Sequence, residues 1–249
     1  MPLASGALSQ GPSPTPGAPE KDAVRSMFDR IAPRYDLLNR LLSGGTDVRW
    51  RRRAVDLLGM EPPARILDLC TGTADVLIEV LGRDPRLRGA GLDLSVPMLR
   101  RGLAKLSARG LAGRGALAAA DAERLPLRSE SFDGALVAFG IRNVGRPLEA
   151  LRELRRVLVP GGRLVVLEFS MPRGAPGALY RFYFGKVLPW LGGIVSGDRK
   201  AYAYLPASVE RFATPGELAR LLEQAGFSAV ARRPLTGGIA HLHRAEKAR

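Results

Sequence analysis

Between residues 65 and 169 the chain repeats one pattern: a short apolar run, a turn of small and acidic residues, then a helical stretch. Runs at Arg65 to Cys70, Gly89 to Leu94, Ala116 to Ala120, Asp133 to Phe139 and Arg163 to Phe169 read as strands. Helical spacing falls between them at Asp75 to Leu81, Val96 to Ala108 and Pro147 to Leu158, the last stopped by Pro160, Gly161 and Gly162. Alternation of this kind argues for a parallel sheet covered by helices on both faces. It predicts an α/β fold: a doubly wound, mostly parallel, Rossmann-like sheet. A helix over Pro215 to Ala225 and two runs, Ala229 to Leu235 and Ile239 to Arg244, follow. Joined through Gly237 and Gly238 as a hairpin, they bring the expected strands to seven.

The turns say what such a sheet would hold. Ile66-Leu67-Asp68-Leu69-Cys70-Thr71-Gly72-Thr73-Ala74-Asp75 runs from a strand into a tight turn that opens a helix, and Gly72 and its small neighbours let backbone approach a ligand. It lacks the G-x-G-x-x-G that makes room for a pyrophosphate. A carboxylate, Asp68, leads the turn instead. It would repel a pyrophosphate but suits an ammonium group, such as the one on the methionine end of S-adenosyl-L-methionine. Twenty-five residues on, Asp93 closes the second strand, where its two oxygens suit a pair of ribose hydroxyls; capping of the next helix explains it as well. Asp121 and Ala122 follow the third strand and offer an acceptor and an amide to adenine. Three such turns at consecutive strand ends make one crevice, where open α/β sheets bind ligands.

The flanking segments are of a different kind. Residues 1–19 carry no charged side chain and include Pro2, Pro12, Pro14, Pro16 and Pro19, so a disordered tail is expected. Residues 20–61 read as a helical extension in which Val24, Met27, Phe28 and Ile31 recur at helical spacing, and Thr46 or Asp47 is placed to cap a further helix. The outward face of that helix carries Arg49, Arg51, Arg52 and Arg53, either a solvated face or one that meets anions. Residues 171–213 form an insertion whose 179–191 stretch is the most aromatic of the chain, a core helix or a cover over substrate.

Cys70 is the only cysteine, which excludes a disulfide framework or a thiolate zinc site and points to a reducing cytoplasm. No window approaches the roughly 20 apolar residues that span a bilayer, and nothing resembles a signal peptide. The formal charge of +14 invites a polyanion. Yet only five of the 38 cationic residues are lysine, a bias that a GC-rich genome also produces, so the charge alone assigns no partner.

Several segments resemble a known family. Phe28-Asp29-Arg30-Ile31-Ala32, Tyr35-Asp36-Leu37-Leu38-Asn39, Phe139-Gly140-Ile141-Arg142-Asn143-Val144, Arg156-Val157-Leu158-Val159-Pro160-Gly161-Gly162 and Leu167-Glu168-Phe169-Ser170 are similar to blocks of the quinone-biosynthesis C-methyltransferases, class I enzymes that use S-adenosyl-L-methionine. Tyr204-Leu205-Pro206-Ala207-Ser208-Val209 and Leu235-Thr236-Gly237-Gly238-Ile239 with His243 extend the likeness over residues 24–247. The resemblance implies one methyltransferase domain over 20–249, with cofactor contacts at Thr73, Asp93, Asp121 and Ala122. Thr71 and Ala74 depart from it where many members have glycine, and Ala138 replaces a serine that contacts the cofactor in some.

It further implies methylation of a quinol ring carbon, demethylmenaquinol to menaquinol, with dual or ubiquinone-pathway use as the alternative. Methyl transfer is an in-line displacement that needs alignment and an activated carbon, and no metal. Arg142 is the candidate to stabilise a phenolate or hold a proton-accepting water, against a structural ion pair. Asp47 and His243 are candidate bases, with structural roles as the alternative. Tyr202 and Tyr204 are placed to bond quinol oxygens. A polyprenylated substrate expects peripheral contact with the inner membrane face, through Arg49 and Arg51 to Arg53. An RNA methyltransferase would need a stacking platform that is not evident, so no nucleic-acid partner is expected. A scaffold without activity and a homodimer both stay open.

Overall fold

A computed structural model describes residues 20–172 and 199–249. The tail at 1–19 and the aromatic stretch at 179–191 lie outside the described residues. Seven strands form one sheet: β1 (Arg65–Leu69), β2 (Arg88–Asp93), β3 (Gly115–Ala119), β4 (Phe132–Ala138), β5 (Leu158–Phe169), β6 (Phe227–Leu235) and β7 (Ala240–Lys247). Their order across the sheet is β3-β2-β1-β4-β5-β7-β6. β7 alone runs against its neighbours, pairing antiparallel with β5 and β6 while the other pairs are parallel.

Both faces of this sheet are buried. Leu67, Leu69, Ala135, Val137, Leu164 and Val166 face one core with Leu151, Leu154, Leu218 and Leu222 from α6 (Pro147–Val157) and α8 (Pro215–Gln224). Ile66, Leu136, Val165 and Leu167 face the other with α3 (Thr46–Leu58) and α4 (Asp75–Leu81), through Trp50, Ala54, Leu77 and Leu81. Each such leucine contributes about 1.5–3 kcal/mol when withdrawn from water. The cover that apolar strands demand is therefore present on both sides.

Two boundaries differ from the sequence reading. α6 passes into β5 at Leu158 with no intervening turn, and Pro160, Gly161 and Gly162 lie inside the strand. Leu158 pairs with Phe132, and the register then slips before Gly134 meets Arg163, β5 bulging with Gly161 at φ +79 inside the irregular stretch. α3 begins without a side-chain cap, after Gly45 at φ +74. Asp47 lies in its first turn, bonded to the Ser43 hydroxyl at 2.7 Å and to Arg51 at 2.5 Å. α8 does carry a capping box, Thr214 with Glu217.

The N-terminal helices α1 (Lys21–Ile31) and α2 (Tyr35–Ser43) lie over the carboxyl edge of the sheet. α1 buries Val24, Met27 and Ile31 in a third cluster with Met98 of α5 (Val96–Ala108) and Val209 of α7 (Arg199–Arg211). Among the described residues no helix is long and apolar enough to cross a membrane.

Candidate active site

The first strand ends in a turn whose alternate residues, Cys70, Gly72 and Ala74, take positive φ of 56, 54 and 64°. Glycine takes this conformation without strain, whereas Cys70 and Ala74 hold it against their Cβ atoms. Asp93, at the end of β2, fixes the turn: its Oδ2 accepts from the Gly72 amide and its Oδ1 from the Ser95 amide, both at 2.9 Å. Burial raises the Asp93 pKa, opposed by these backbone donors. Where β4 ends, Gly140 passes so close to Cys70 that a side chain there would overlap the Cys70 Cβ. Phe139 beside it takes φ 59° and turns its ring toward the crevice.

These turns enclose a cavity of about 760 Å³. Gly72, Asp93, Asp121 and Ala122 all line it, together with apolar Leu94, Met98, Phe139 and Val144. α1 supplies its outer wall through Lys21, Val24, Arg25 and Phe28, and Tyr35 follows from α2. Three polar contacts fasten these helices over the three turns. Lys21 Nζ lies 2.5 Å from Asp121 Oδ2, Ser95 Oγ donates to Asp29 at 2.5 Å, and Thr73 Oγ1 donates to Asp36 at 2.5 Å. Lys105 clamps the last of these, reaching Asp36 at 2.9 Å and also Asp75.

S-adenosyl-L-methionine fits this donor set. The Asp93 carboxylate, braced by two amides, faces the cavity where the hydroxyls of a diol would donate to its remaining lone pairs. Asp121 Oδ1 is held by the Glu123 amide at 3.0 Å, and apolar Leu94, Met98 and Val144 line the same cavity. The rings of Phe28, Tyr35 and Phe139 line the same space and suit a sulfonium.

Other expected site residues are not brought to the cavity. Asp68 turns toward α4, where its Oδ2 accepts from Thr71 Oγ1 at 2.6 Å and the Leu77 amide at 3.1 Å. Burial, reinforced by Asp93, pushes its pKa up to about 7. It organises the turn and does not line the crevice. The Thr73 side chain is likewise engaged by Asp36 and Lys105. Arg142 is buried, and its Nη1 meets Glu168 Oε1 at 2.7 Å and the Phe139 carbonyl, while its Nε reaches Ser208 Oγ at 3.3 Å. The ion pair, not a free guanidinium at the crevice, is what the structure contains. Asp47 is enclosed between Ser43 and Arg51, and Arg51 also pairs with Asp75 at 3.4 Å.

His243 stands on β7, away from the cavity, its Nε2 2.9 Å from the Pro215 carbonyl. That geometry places the proton on Nε2, and Nδ1 is buried with no hydrogen-bond partner. Burial pushes its pKa down to about 4 from 6.5. The unfolded chain binds this proton as pH falls through 6.5, the folded chain only near 4. The neutral imidazole therefore contributes stability that is whole above pH 6.5 and falls by about 3 kcal/mol toward pH 4. Chemical denaturation of the parent and of His243→Leu across that range should show the parent losing stability the more steeply.

Some residues were not legible as site members. Lys21, Val24, Arg25 and Phe28 recur at helical spacing, a stripe that mixes charge with apolar surface and so marks a half-covered cavity wall. Asn143 lines the cavity and accepts from the Tyr204 hydroxyl at 3.0 Å. Beside it Phe139 stacks on Phe169 at 4.4 Å, with Trp50 edge-on to Phe169 at 6.0 Å.

A 3-2-1-4-5-7-6 sheet with a braced acidic turn after each of its first three strands defines a class I S-adenosyl-L-methionine-dependent methyltransferase. The chain belongs to the ubiE/COQ5 methyltransferase family, whose profile matches residues 17–247. It is 53% identical to the demethylmenaquinone methyltransferase of Thermus thermophilus, over 87% of this chain and 98% of the relative. It is 52% identical to the ubiquinone/menaquinone biosynthesis C-methyltransferase UbiE of Syntrophotalea carbinolica, over 88% of this chain and 92% of that one. Among solved structures, the [4+2]-cyclase SpnF superposes with a TM-score of 0.71 at 20% identity, covering 93% of this chain and 98% of the cyclase. That likeness is one of fold, since one fold hosts many chemistries.

Proposed function

We propose that this methyltransferase acts on the ring carbon of demethylmenaquinol, giving menaquinol, and that residues 20–249 work as one catalytic domain in the cytoplasm. The observation that carries the reading is the wall beside the cofactor cavity. Phe139 lines the cavity with Phe169 stacked behind it, and Asn143, held by Tyr204, gives that wall one polar edge. A flat bicyclic ring with an oxygen at its rim matches that combination. The names of relatives at 53% and 52% identity support it, the second of them covering both quinone pathways.

S-adenosyl-L-methionine supplies a methyl group on positively charged sulfur, and the quinol carbon takes it in line and then loses its proton to water. The chain's part is placement. Asp93 would hold the cofactor's ribose and Asp121 its adenine, with Leu94, Met98 and Val144 against the base. The Asn143 amide nitrogen donates to the quinol oxygen and orients the carbon, its own oxygen held by the Tyr204 hydroxyl. Burial raises the Tyr204 pKa, so this hydroxyl stays protonated and keeps donating to Asn143. α1 and α2 form the outer wall of the cofactor cavity. Arg142 and Glu168 act one layer behind, holding the Phe139 backbone and the Phe169 ring in position.

The test is transfer of labelled methyl to reduced short-chain demethylmenaquinone, beside the demethylated ubiquinone precursor. Transfer to the naphthoquinol alone supports the reading, transfer to both makes the enzyme dual, and transfer to neither overturns it. Asn143→Ala should raise KM by about tenfold or more by removing one hydrogen bond at the ring edge. The substrate's polyprenyl tail resides in a bilayer, so peripheral contact at the membrane belongs to the same proposal.

A further inference from the structure

Resting on that lipid-linked substrate, we infer that the outer faces of α2 and α5 form the surface that docks on an anionic bilayer. The large hydrophobic side chains left exposed among the described residues are Leu37 at 61%, Val96 at 44% and Leu103 at 50%. All three lie on these two helices. On α5, Val96, Arg100, Leu103 and Ser107 recur at i, i+4, i+7 and i+11, one exposed stripe, while Met98, Leu99, Gly102 and Leu106 face the core. Such a helix is amphipathic with the wrong sense for a water-facing surface, since its outer stripe carries leucine and valine.

The charges around this stripe have one sign. α5 contains Arg100, Arg101 and Lys105 and no carboxylate. The single carboxylate of α2, Asp36, is engaged by Lys105, and that contact ties the two helices side by side. Arg40, one turn beyond Leu37, and Arg109, just past the end of α5, line one open groove where, with Arg51, Arg52 and Arg83, they outnumber Asp75 and Glu79. Leucines flanked by arginines suit a bilayer interface: the apolar groups enter the acyl boundary and the guanidiniums meet phosphates. A nucleic acid would use the arginines and leave the leucines unexplained.

The helix first expected to dock, α3, has no large exposed hydrophobic side chain beside its arginines. On α3, Arg51 is withdrawn into pairs with Asp47 and Asp75, and Arg49 bonds the Thr46 hydroxyl. The docking face thus lies on the two helices that adjoin the cavity's outer wall, where a lipid-borne ring would arrive.

Co-sedimentation of the full chain with phosphatidylcholine vesicles containing phosphatidylglycerol tests this. Leu37→Ser with Leu103→Ser is expected to lower partition by about tenfold. Arg100→Gln with Arg109→Gln should lower it by about fivefold per charge and flatten its salt dependence. Arg49→Gln with Arg53→Gln should change it by less than about twofold. None of these residues lines the cavity, so transfer to a water-dispersed short-chain quinol should be unchanged. Parental partition of the leucine pair overturns the proposal, as does displacement of the parent from vesicles by RNA while the leucine pair still binds them. If the parent methylates no quinol but its vesicle binding follows the variants, the substrate reading fails and the docking face stands.

Discussion

Alanine at position 93 is expected to weaken S-adenosyl-L-methionine binding by two to four orders of magnitude, the largest effect of any single change at the cofactor cavity. The Asp93 carboxylate accepts from the Gly72 and Ser95 amides and presents its remaining lone pairs to the cavity. Hydrogen bonds to a charged acceptor are worth about 1.5–3 kcal/mol each, and a ribose diol makes two. The turn also loses its brace, so binding enthalpy should fall with affinity. Calorimetric titration with S-adenosylhomocysteine reads the effect without catalysis, and an unchanged Kd would remove Asp93 from the cofactor site. Asp93→Asn, which still accepts one bond, should fall between.

The second large effect is on stability and comes from Arg142. Glu168 is buried, and among the described residues its carboxylate accepts, beyond Arg142 Nη1, only from backbone amides, that of Phe169 at 2.9 Å and that of Arg142 at 3.3 Å. Removing the guanidinium leaves a buried charge without a counter-ion, at a cost of about 3–5 kcal/mol. In a chain of this size that corresponds to a Tm lower by about 10 °C. Arg142→Met is the variant, and adding Glu168→Gln should recover much of the loss by removing the stranded charge. Arg142→Lys should not recover it, because an ammonium cannot serve Glu168, the Phe139 carbonyl and Ser208 at once. A double variant no more stable than Arg142→Met would show that the arginine acts through packing instead.

The same two residues illustrate what the sequence could disclose. Asp93 was legible because it ends a strand and is followed by a helix start, and both facts depend on local composition. Asp68 was misplaced because β1 is apolar on both faces: Leu67 and Leu69 face one core and Ile66 the other. Without alternating polarity, nothing local tells which way the one carboxylate points. The Arg142–Glu168 pair had a usable signal. β4 and β5 lie side by side with Ala138 opposite Leu167, so opposite charges just past those residues meet. His243 drew notice for its chemistry, whereas its position in the antiparallel hairpin, against the Pro215 carbonyl, was a matter of tertiary packing. The membrane-facing residues were obscured for a similar reason: a run of arginines is conspicuous in a sequence, and burial of Arg51 is not.

The fastening of the N-terminal helices has a consequence for how the chain is made. Lys21 meets Asp121 across 100 residues, and the Trp50 indole donates to Thr236 across 186. A ribosome releases the helices first and their partners much later. Val24, Met27 and Ile31 must wait, apolar and uncovered, until α5 and α7 have emerged. Contacts this distant along the chain are slow to form and leave sticky surface exposed in the interval. The segment that seals the finished cavity is thus the one that spends longest during synthesis with nothing to close upon.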